Sequence, residues 1–319
     1  MHEKPALSVV LPAHNESENV IPMYEALLKV LTDADPGGFE IIFVDDGSTD
    51  GTVGAVLNLC KEDSRVKLVE LFRNFGHQIA LTAGMAHAAG DVVVTMDADL
   101  QHPPETILEM LAKFREGNDV VYAKRVGVQR GVLKPVMSRF FYRAFRWATG
   151  LEIEDNVSDF RLMSRQVVEV LNGMHEANRF LRGMAPWIGG RSAVVEYRLG
   201  KRLHCTPSYS FGKSLALAST GMLSFSTLPL TLIFAVGLVL SVLSFGYGLV
   251  LVAHKILVGT AVPGYTDIIA SVLFLGGIQL LSLGVIGKFI AILLDEVRGR
   301  PNYIVRRTVG IGARETGHD

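Results

Sequence analysis

Asp91-Val-Val-Val-Thr-Met-Asp-Ala-Asp-Leu-Gln-His-Pro-Pro-Glu105 is the stretch that decides the fold. Asp91 to Met96 reads as a strand: after the aspartate comes a short apolar, largely β-branched run, the pattern of a strand buried on both faces. The run halts in an acidic turn, Asp97-Ala98-Asp99, and Pro103-Pro104 then opens a helix that continues through Phe114. The same unit of strand, polar turn and helix recurs on either side. Ala6 to Leu11 is a strand halted by Pro12 and His14-Asn15-Glu16, with helical spacing from Glu18 through Leu31. Phe39 to Val44 ends in Asp45-Asp46-Gly47-Ser48, after which Thr49 and Asp50 offer cap chemistry for a helix through Cys60. Val66 to Phe72 is a third strand, Ile79 to Ala89 an alanine-rich helix, and Asp119 to Ala123 a fifth strand.

Such alternation implies an α/β domain with a parallel sheet covered by helices on both faces. Open sheets of this kind bind ligands beyond the carboxyl ends of their strands. The residues standing there are His14 and Glu16, Asp45 and Asp46, Arg73 and Asn74, Asp97 and Asp99, and Arg125. The set is acidic and basic at once, as a site for a metal and a nucleotide would be. Two carboxylates spaced as Asp97 and Asp99 can reach one divalent ion, Mg²⁺ or Mn²⁺, to which Gln101 could add a carbonyl oxygen. Taken alone, Asp45-Asp46-Gly47-Ser48 reads as a turn and a cap. Two acidic clusters after strands of one sheet, with Glu16 after another, would repel without a cation or donors between them. Arg125, Arg130, Lys134 and Arg139 form a basic stretch suited to phosphate, or to a solvated face. His77, His87 and His175 are scattered and read as structural.

The chain has 319 residues, of which 49% are hydrophobic and 20% charged, so it can bury enough surface to fold. A net charge of −1 argues against a nucleic-acid-binding domain. Two cysteines, Cys60 and Cys205, cannot make a disulfide framework and suit a reducing compartment. No P-loop, GxGxxG, GxSxG or HExxH motif occurs, which disfavours kinase, dinucleotide, serine-hydrolase and zinc-protease chemistry. Mean hydropathy is +0.31, and the excess lies near the C-terminus. Leu228 to Ala253 contains no charge, and neither does Ile268 to Gly287, which continues past Lys288 to Leu294. Each run can cross roughly 30 Å of hydrocarbon. Lys201, Arg202 and Lys213 precede the pair and Arg298, Arg300, Arg306 and Arg307 follow it, while the connection holds a single lysine. That asymmetry predicts a multi-pass membrane protein with both termini cytoplasmic, and the inner (plasma) membrane is its expected location. Ser210 to Thr227 reads as an amphipathic helix lying at the interface. The expected division is therefore a cytoplasmic domain over 1–205, a juxtamembrane region over 206–227, a transmembrane hairpin over 228–294 and a basic tail over 295–319.

The motifs Pro12-Ala-His-Asn-Glu16, Val44-Asp-Asp-Gly-Ser-Thr-Asp50, Arg73-Asn-Phe-Gly76, Met96 to Glu105 and Ser158-Asp-Phe-Arg-Leu-Met163 occur in that order. Leu223 to Pro229 and Arg300-Pro-Asn-Tyr303 flank the apolar pair. Together they resemble the family 2 glycosyltransferases that act on polyprenyl phosphates, such as dolichyl-phosphate mannose synthases and bactoprenol glucosyltransferases. The resemblance implies a GT-A fold and inverting transfer of a hexose from a nucleotide sugar, UDP-glucose or GDP-mannose, to a polyprenyl (undecaprenyl) phosphate. It implies a nucleotide pocket lined by Pro12, His14, Glu16 and Asp45 with Asp46 beside them, and a metal facing Asp97, Asp99 and Gln101. It further implies phosphate or acceptor contacts from Arg125, Arg139 and Arg161, and a base or acceptor-positioning group at Asp159 beside Arg161. Relatives carry a lysine where Ser208 stands, a part that Arg202, His204 or Lys213 could take. A homo-oligomer is also expected. A processive polysaccharide synthase should carry a Gln-x-x-Arg-Trp motif, which is absent; a catalytically silent membrane scaffold is disfavoured by the intact Asp97, Asp99 and Asp159.

Overall fold

The computed structural model describes residues 5–34, 37–126, 157–174, 176, 179–198, 228–258 and 264–311. The chain divides into two compact units, Met1–Ser214 with Arg300–Asp319, and Leu215–Gly299.

In the first unit the repeated strand–turn–helix pattern becomes β1 (Leu7–Ala13), α1 (Ser17–Ala34), β2 (Phe39–Asp45), α2 (Thr52–Glu62), β3 (Val66–Leu71), α3 (His77–His87), β4 (Val92–Thr95), α4 (Thr106–Arg115) and β5 (Val120–Val126). There follow β6 (Val157–Ser164), α5 (Arg165–Gly173), α6 (Leu181–Ile188), β7 (Ser192–Arg198) and, from the end of the chain, β8 (Val305–Val309). The eight strands form one sheet in the order β7-β5-β6-β4-β1-β2-β3-β8. β1 pairs in parallel with β2 and β4, and β2 with β3. Every residue of β1 and β2 is buried, which explains why these strands read as continuous rather than alternating apolar runs.

Successive residues of a strand serve opposite faces. Val9 and Leu11 pack in one core with Leu27 of α1 and Met110 of α4. Val10 and Val44 meet α3 on the other face, where a Cβ added at Gly84 would lie 2.2 Å from Val10 Cγ1 and 2.8 Å from Val44 Cγ2. The alanine-rich composition of α3 follows from that close approach.

Two features depart from the expected plan. The segment containing Ser158 to Met163 is itself a strand, inserted antiparallel between β4 and β5. The stretch over 295–319, expected as a separate tail, supplies β8, which pairs antiparallel with β3 through Val69↔Thr308 and Glu70↔Arg307. Its sequence, Val-Arg-Arg-Thr-Val, with the three central residues exposed and a half-buried valine at each end, suits an edge strand.

The second unit holds α7 (Leu228–Val258) and α8 (Tyr265–Val297), of 31 and 33 residues. At 1.5 Å per residue each is about 45–50 Å long, more than the hydrocarbon thickness. Their most apolar windows, Leu230–Tyr247 and Phe274–Val297, have mean hydropathies of 2.2 and 2.0 and bury none of their residues. Both helices are long and apolar enough to cross a membrane. The interfacial helix expected over 210–227 lies outside the described residues.

Candidate active site

The strand ends of the parallel half are fastened to each other by short polar groups. Asp46 is buried, and its two oxygens accept from the backbone N–H of Phe75 (2.7 Å) and Gly76 (2.9 Å). This ties the Asp45–Ser48 turn to the Arg73–Gly76 loop. Gly47 sits between them at φ +67°, where a Cβ would lie 2.5 Å from Arg73 C and Asn74 N. The glycine of this turn is therefore required twice, by its left-handed backbone and by the loop against it. Asp45 accepts from Ser48 N (3.2 Å), and burial pushes its carboxyl above the ordinary aspartate range against those bonds. His14 is exposed, with Nδ1 2.8 Å from Asp46 O. Pro12 is buried in β1. Glu16 stands at the start of α1, accepting from Asn19 Nδ2 (2.5 Å).

A second cluster lies at the ends of β4 and β6. Asp159 is 2% exposed and is surrounded by donors: Arg161 Nη2 at 2.9 Å, Arg182 Nη2 at 2.8 Å and Gln78 Nε2 at 2.9 Å. Burial alone would raise its carboxyl, but the charge of Arg182, the His77 contact and Arg161 outweigh it and hold the group well below the ordinary range. Asp159 is thus a fixed carboxylate. His77 Nε2 joins the two halves of the cluster, 3.5 Å from Asp159 Oδ2 and 3.3 Å from Asp97 Oδ1. Burial disfavours its charged form, yet the bond to Asp159 and the charge of Asp97 leave its pKa raised.

The Asp97–Gln101 turn is shaped by His102, which is buried and stacked on Phe160 at 4.9 Å between ring centroids. Asp97 N donates to His102 Nδ1 (3.0 Å), so the ring proton sits on Nε2, 3.7 Å from Asp97 Oδ2. Burial lowers the pKa of His102 against the nearby Asp97 and Asp99, which keeps the ring neutral in that role. Leu100 is forced to φ +61°, a conformation that costs an ordinary side chain energy and that marks tight functional turns. Gln101 N donates to Asp99 Oδ1 (3.1 Å). Asp97 Oδ1 is buried and has no hydrogen bond. A buried carboxylate oxygen left in that state, next to a second carboxylate, fits a hard divalent cation. Among the described residues no three His, Cys, Asp or Glu side chains surround a common ion position, so such a cation would complete its shell from substrate oxygens.

Several expected roles change. Asp46, expected beside the nucleotide, spends both oxygens on the loop it fastens. Arg161, expected to meet a phosphate, is 2% exposed, donating to Leu181 O (2.8 Å) as well as to Asp159, and is out of reach of a ligand. His77, read as structural, lies at the centre of the cluster, whereas His87 does bond its own helix at Ala83 O (2.7 Å). Gln78, His102 and Arg182 are not among the site residues that the sequence predicts. The adjacency of His77 and Gln78 to Phe75-Gly76, and of His102 to Gln101, is the sequence signal for His77, Gln78 and His102; Arg182 has none. Arg125 is exposed on β5. Arg130, Lys134, Arg139, His175, Arg202, His204, Ser208 and Lys213 lie outside the described residues.

The family model described as glycosyl transferase family 2 matches residues 8–171, the span that carries Asp45, Asp46, His77, Asp97, Asp99, His102 and Asp159. The chain is 38% identical over 303 residues to the SfII prophage-derived bactoprenol glucosyl transferase of Shigella flexneri, covering 95% of this chain and 98% of that one. It is 38% identical over 302 residues to the prophage bactoprenol glucosyl transferase homolog of Escherichia coli K12, covering 94% and 98%. An uncharacterised glycosyltransferase of Synechocystis is 39% identical over 306 residues, 96% of each chain. With a matching family model over half the sequence and relatives aligned almost end to end, the chain belongs to glycosyl transferase family 2 and is a glycosyltransferase.

Proposed function

We propose that the enzyme moves a hexose, glucose from UDP-glucose, onto a polyprenyl phosphate, undecaprenyl phosphate, with inversion at the sugar carbon. The product would be a lipid-linked sugar donor for cell-envelope glycans. The observation that carries this reading is Asp97 Oδ1, buried without a hydrogen bond beside Asp99 and 3.3 Å from His77. It suits a site that takes a cation and a diphosphate together. Near-full-length likeness to relatives named bactoprenol glucosyl transferase supports the sugar and the lipid acceptor.

Asp97 and Asp99 would hold Mg²⁺ or Mn²⁺, with Gln101 beside them. When bound, that ion supplies charge neutralisation on the departing nucleoside diphosphate. Pro12, His14, Glu16 and Asp45 line the nucleotide side, and Asp46 keeps the two loops there in register. An acceptor phosphate oxygen attacks the anomeric carbon while the bond to the diphosphate breaks. The acceptor phosphate, with a second pKa of about 6, is largely ionised at neutral pH and needs no strong base. Asp159, held ionised by Arg182, Arg161 and His77, is suited to positioning: it fixes His77 and Arg182 at the edge of the metal turn. Arg125, Arg139, Arg202 and Lys213 are the cations for donor or acceptor phosphate. The apolar helices α7 and α8 anchor the enzyme in the plasma membrane with its lipid substrate. Arg and Lys flanking the pair support a cytoplasmic catalytic unit and cytoplasmic termini.

The test uses membranes containing the protein, undecaprenyl phosphate, Mg²⁺ or Mn²⁺ and a panel of labelled UDP- and GDP-sugars. Label from UDP-glucose should enter the lipid fraction, and Asp99→Ala should abolish it with membrane insertion unchanged. No label in lipid from any donor sinks the proposal; label from GDP-mannose alone replaces the donor.

A further inference from the structure

The motif Arg300-Pro-Asn-Tyr303 and the strand after it take no part in the chemistry above, yet they touch both elements that enclose Asp159. On one side, Asn302 Nδ2 donates to Glu176 O (3.1 Å), in the connection between α5 and α6. Tyr303 lies close enough to Arg179 for the guanidinium charge to offset part of the rise that burial imposes on its hydroxyl. Arg179 donates in turn to Met174 O (2.9 Å) and to Leu171 O at the end of α5. The next residues begin α6. Leu181 N donates to Gln78 Oε1 (3.1 Å), Leu181 O accepts from Arg161, and Arg182 pairs with Asp159.

On the other side, Phe72 N donates to Ile304 O (3.0 Å) and Phe72 O accepts from Arg306 Nη2 (3.2 Å). The Arg306 guanidinium lies 5.3 Å from the centre of the Phe72 ring. Arg306 also reaches Glu70 at 3.3 Å, and Arg307 reaches the same carboxylate at 2.5 Å. Glu70 is the cross-strand partner of Asp45, so these arginines neutralise a charge that would otherwise face the nucleotide side unpaired. Phe72 leads directly into Arg73–Gly76 and then to His77 and Gln78. A single short segment near the chain end therefore grips the roots of both walls of the Asp159 enclosure: the loop that delivers His77 and Gln78, and the connection that delivers Leu181 and Arg182.

We propose that residues 302–309 are a positioning brace for glycosyl transfer, with Asn302 and Arg306 as its two positioning residues. They touch no substrate; they hold His77, Gln78 and Arg182 at the distances that orient Asp159 and the metal turn. The proposal rests on the sugar-transfer reading for its kinetic test, but its structural test stands apart from it.

The experiment compares the full-length wild type with the Asn302→Ala/Arg306→Ala double variant, Arg307 being kept so that Glu70 stays paired. Hydrogen exchange should quicken by about tenfold in residues 73–78 and 179–182 and stay unchanged in β1 and β4. In parallel, kcat should fall by about tenfold while KM for the nucleotide sugar moves less than about twofold, because small misplacements reach the reacting geometry before they reach base binding. Unchanged exchange in those two stretches, unchanged kcat, or a uniform rise in exchange across the sheet would each overturn the brace. If the wild type transfers no sugar, the proposed function falls, and the exchange comparison still decides the brace. Should the double variant not fold, Asn302→Ala alone, which removes the hydrogen bond to Glu176 O, carries the test through faster exchange in residues 179–182 and a lower kcat, and unchanged values of either overturn the brace.

Discussion

Asp46 and Asp159 are both carboxylates at strand ends, 4% and 2% exposed, yet they are satisfied in different ways. Asp46 accepts from two backbone N–H groups of a single loop, donors whose direction the chain fixes. Asp159 accepts from side chains of three separate elements, Gln78 of α3, Arg161 of its own strand and Arg182 of α6. The first arrangement fastens one loop to another. The second is a charge balance, in which two guanidiniums and a histidine share one carboxylate, and it is the one placed beside the proposed metal turn. Backbone donors suit a permanent fastening, whereas charged side chains suit a site that must hold its shape around a highly charged substrate.

The largest way to break this contrast is Asp159→Ala. It leaves Arg161 buried without its counter-charge and should cost about 3–5 kcal/mol in denaturant unfolding of the detergent-solubilised chain. A loss no greater than that of the Asp46 variant below would mean that the two carboxylates are equivalent. The same pairing sets a pH dependence. The folded carboxyl of Asp159 lies well below its unfolded value, so its stabilisation is complete above about pH 4 and is lost as pH falls toward the folded value. Thermal melts taken downward from about pH 5 should drop more steeply for wild type than for Asp159→Asn, in which no carboxylate remains to be protonated.

Asp46→Asn is a smaller perturbation. The amide keeps one oxygen acceptor but turns an NH₂ toward the other N–H, leaving a buried donor unsatisfied at about 1–3 kcal/mol. Faster hydrogen exchange should be confined to residues 73–76. The smallest effect belongs to an exposed pair, Lys113 and Glu116, 2.9 Å apart on α4 with side chains 44% and 58% exposed. Lys113→Ala should change stability by less than about 0.5 kcal/mol in the same unfolding assay. A larger loss there would show that contact distance, rather than burial, sets the worth of an ion pair in this protein.

Much of the Asp46 arrangement is legible in the sequence, because Asp-Asp-Gly-Ser and Arg-Asn-Phe-Gly each end a strand of a recognisable parallel unit. Gly47 in particular announces a turn, although only the structure shows Arg73 and Asn74 against it. The Asp159 arrangement is barely legible. Its partner Gln78 is 81 residues away and Arg182 is 23, and nothing in local spacing says that β6 runs antiparallel between β4 and β5. The burial of Arg161 is illegible for the same reason: its motif places it two residues from Asp159, but its facing depends on which strands flank it. His77 reads as structural in the sequence because a lone histidine at a helix start has no periodic signature.

The sequence by itself determined the strand–turn–helix units, the carboxyl-end location of the acidic turns, and the two long apolar helices. Each follows from hydrophobic periodicity and turn chemistry within a few residues. The tertiary structure alone decided which carboxylates are fastenings and which are charge centres, and that β8 returns to the sheet 236 residues after the glutamate it neutralises. Those outcomes depend on strand order and register, which bring distant side chains within hydrogen-bond reach and which no local pattern encodes.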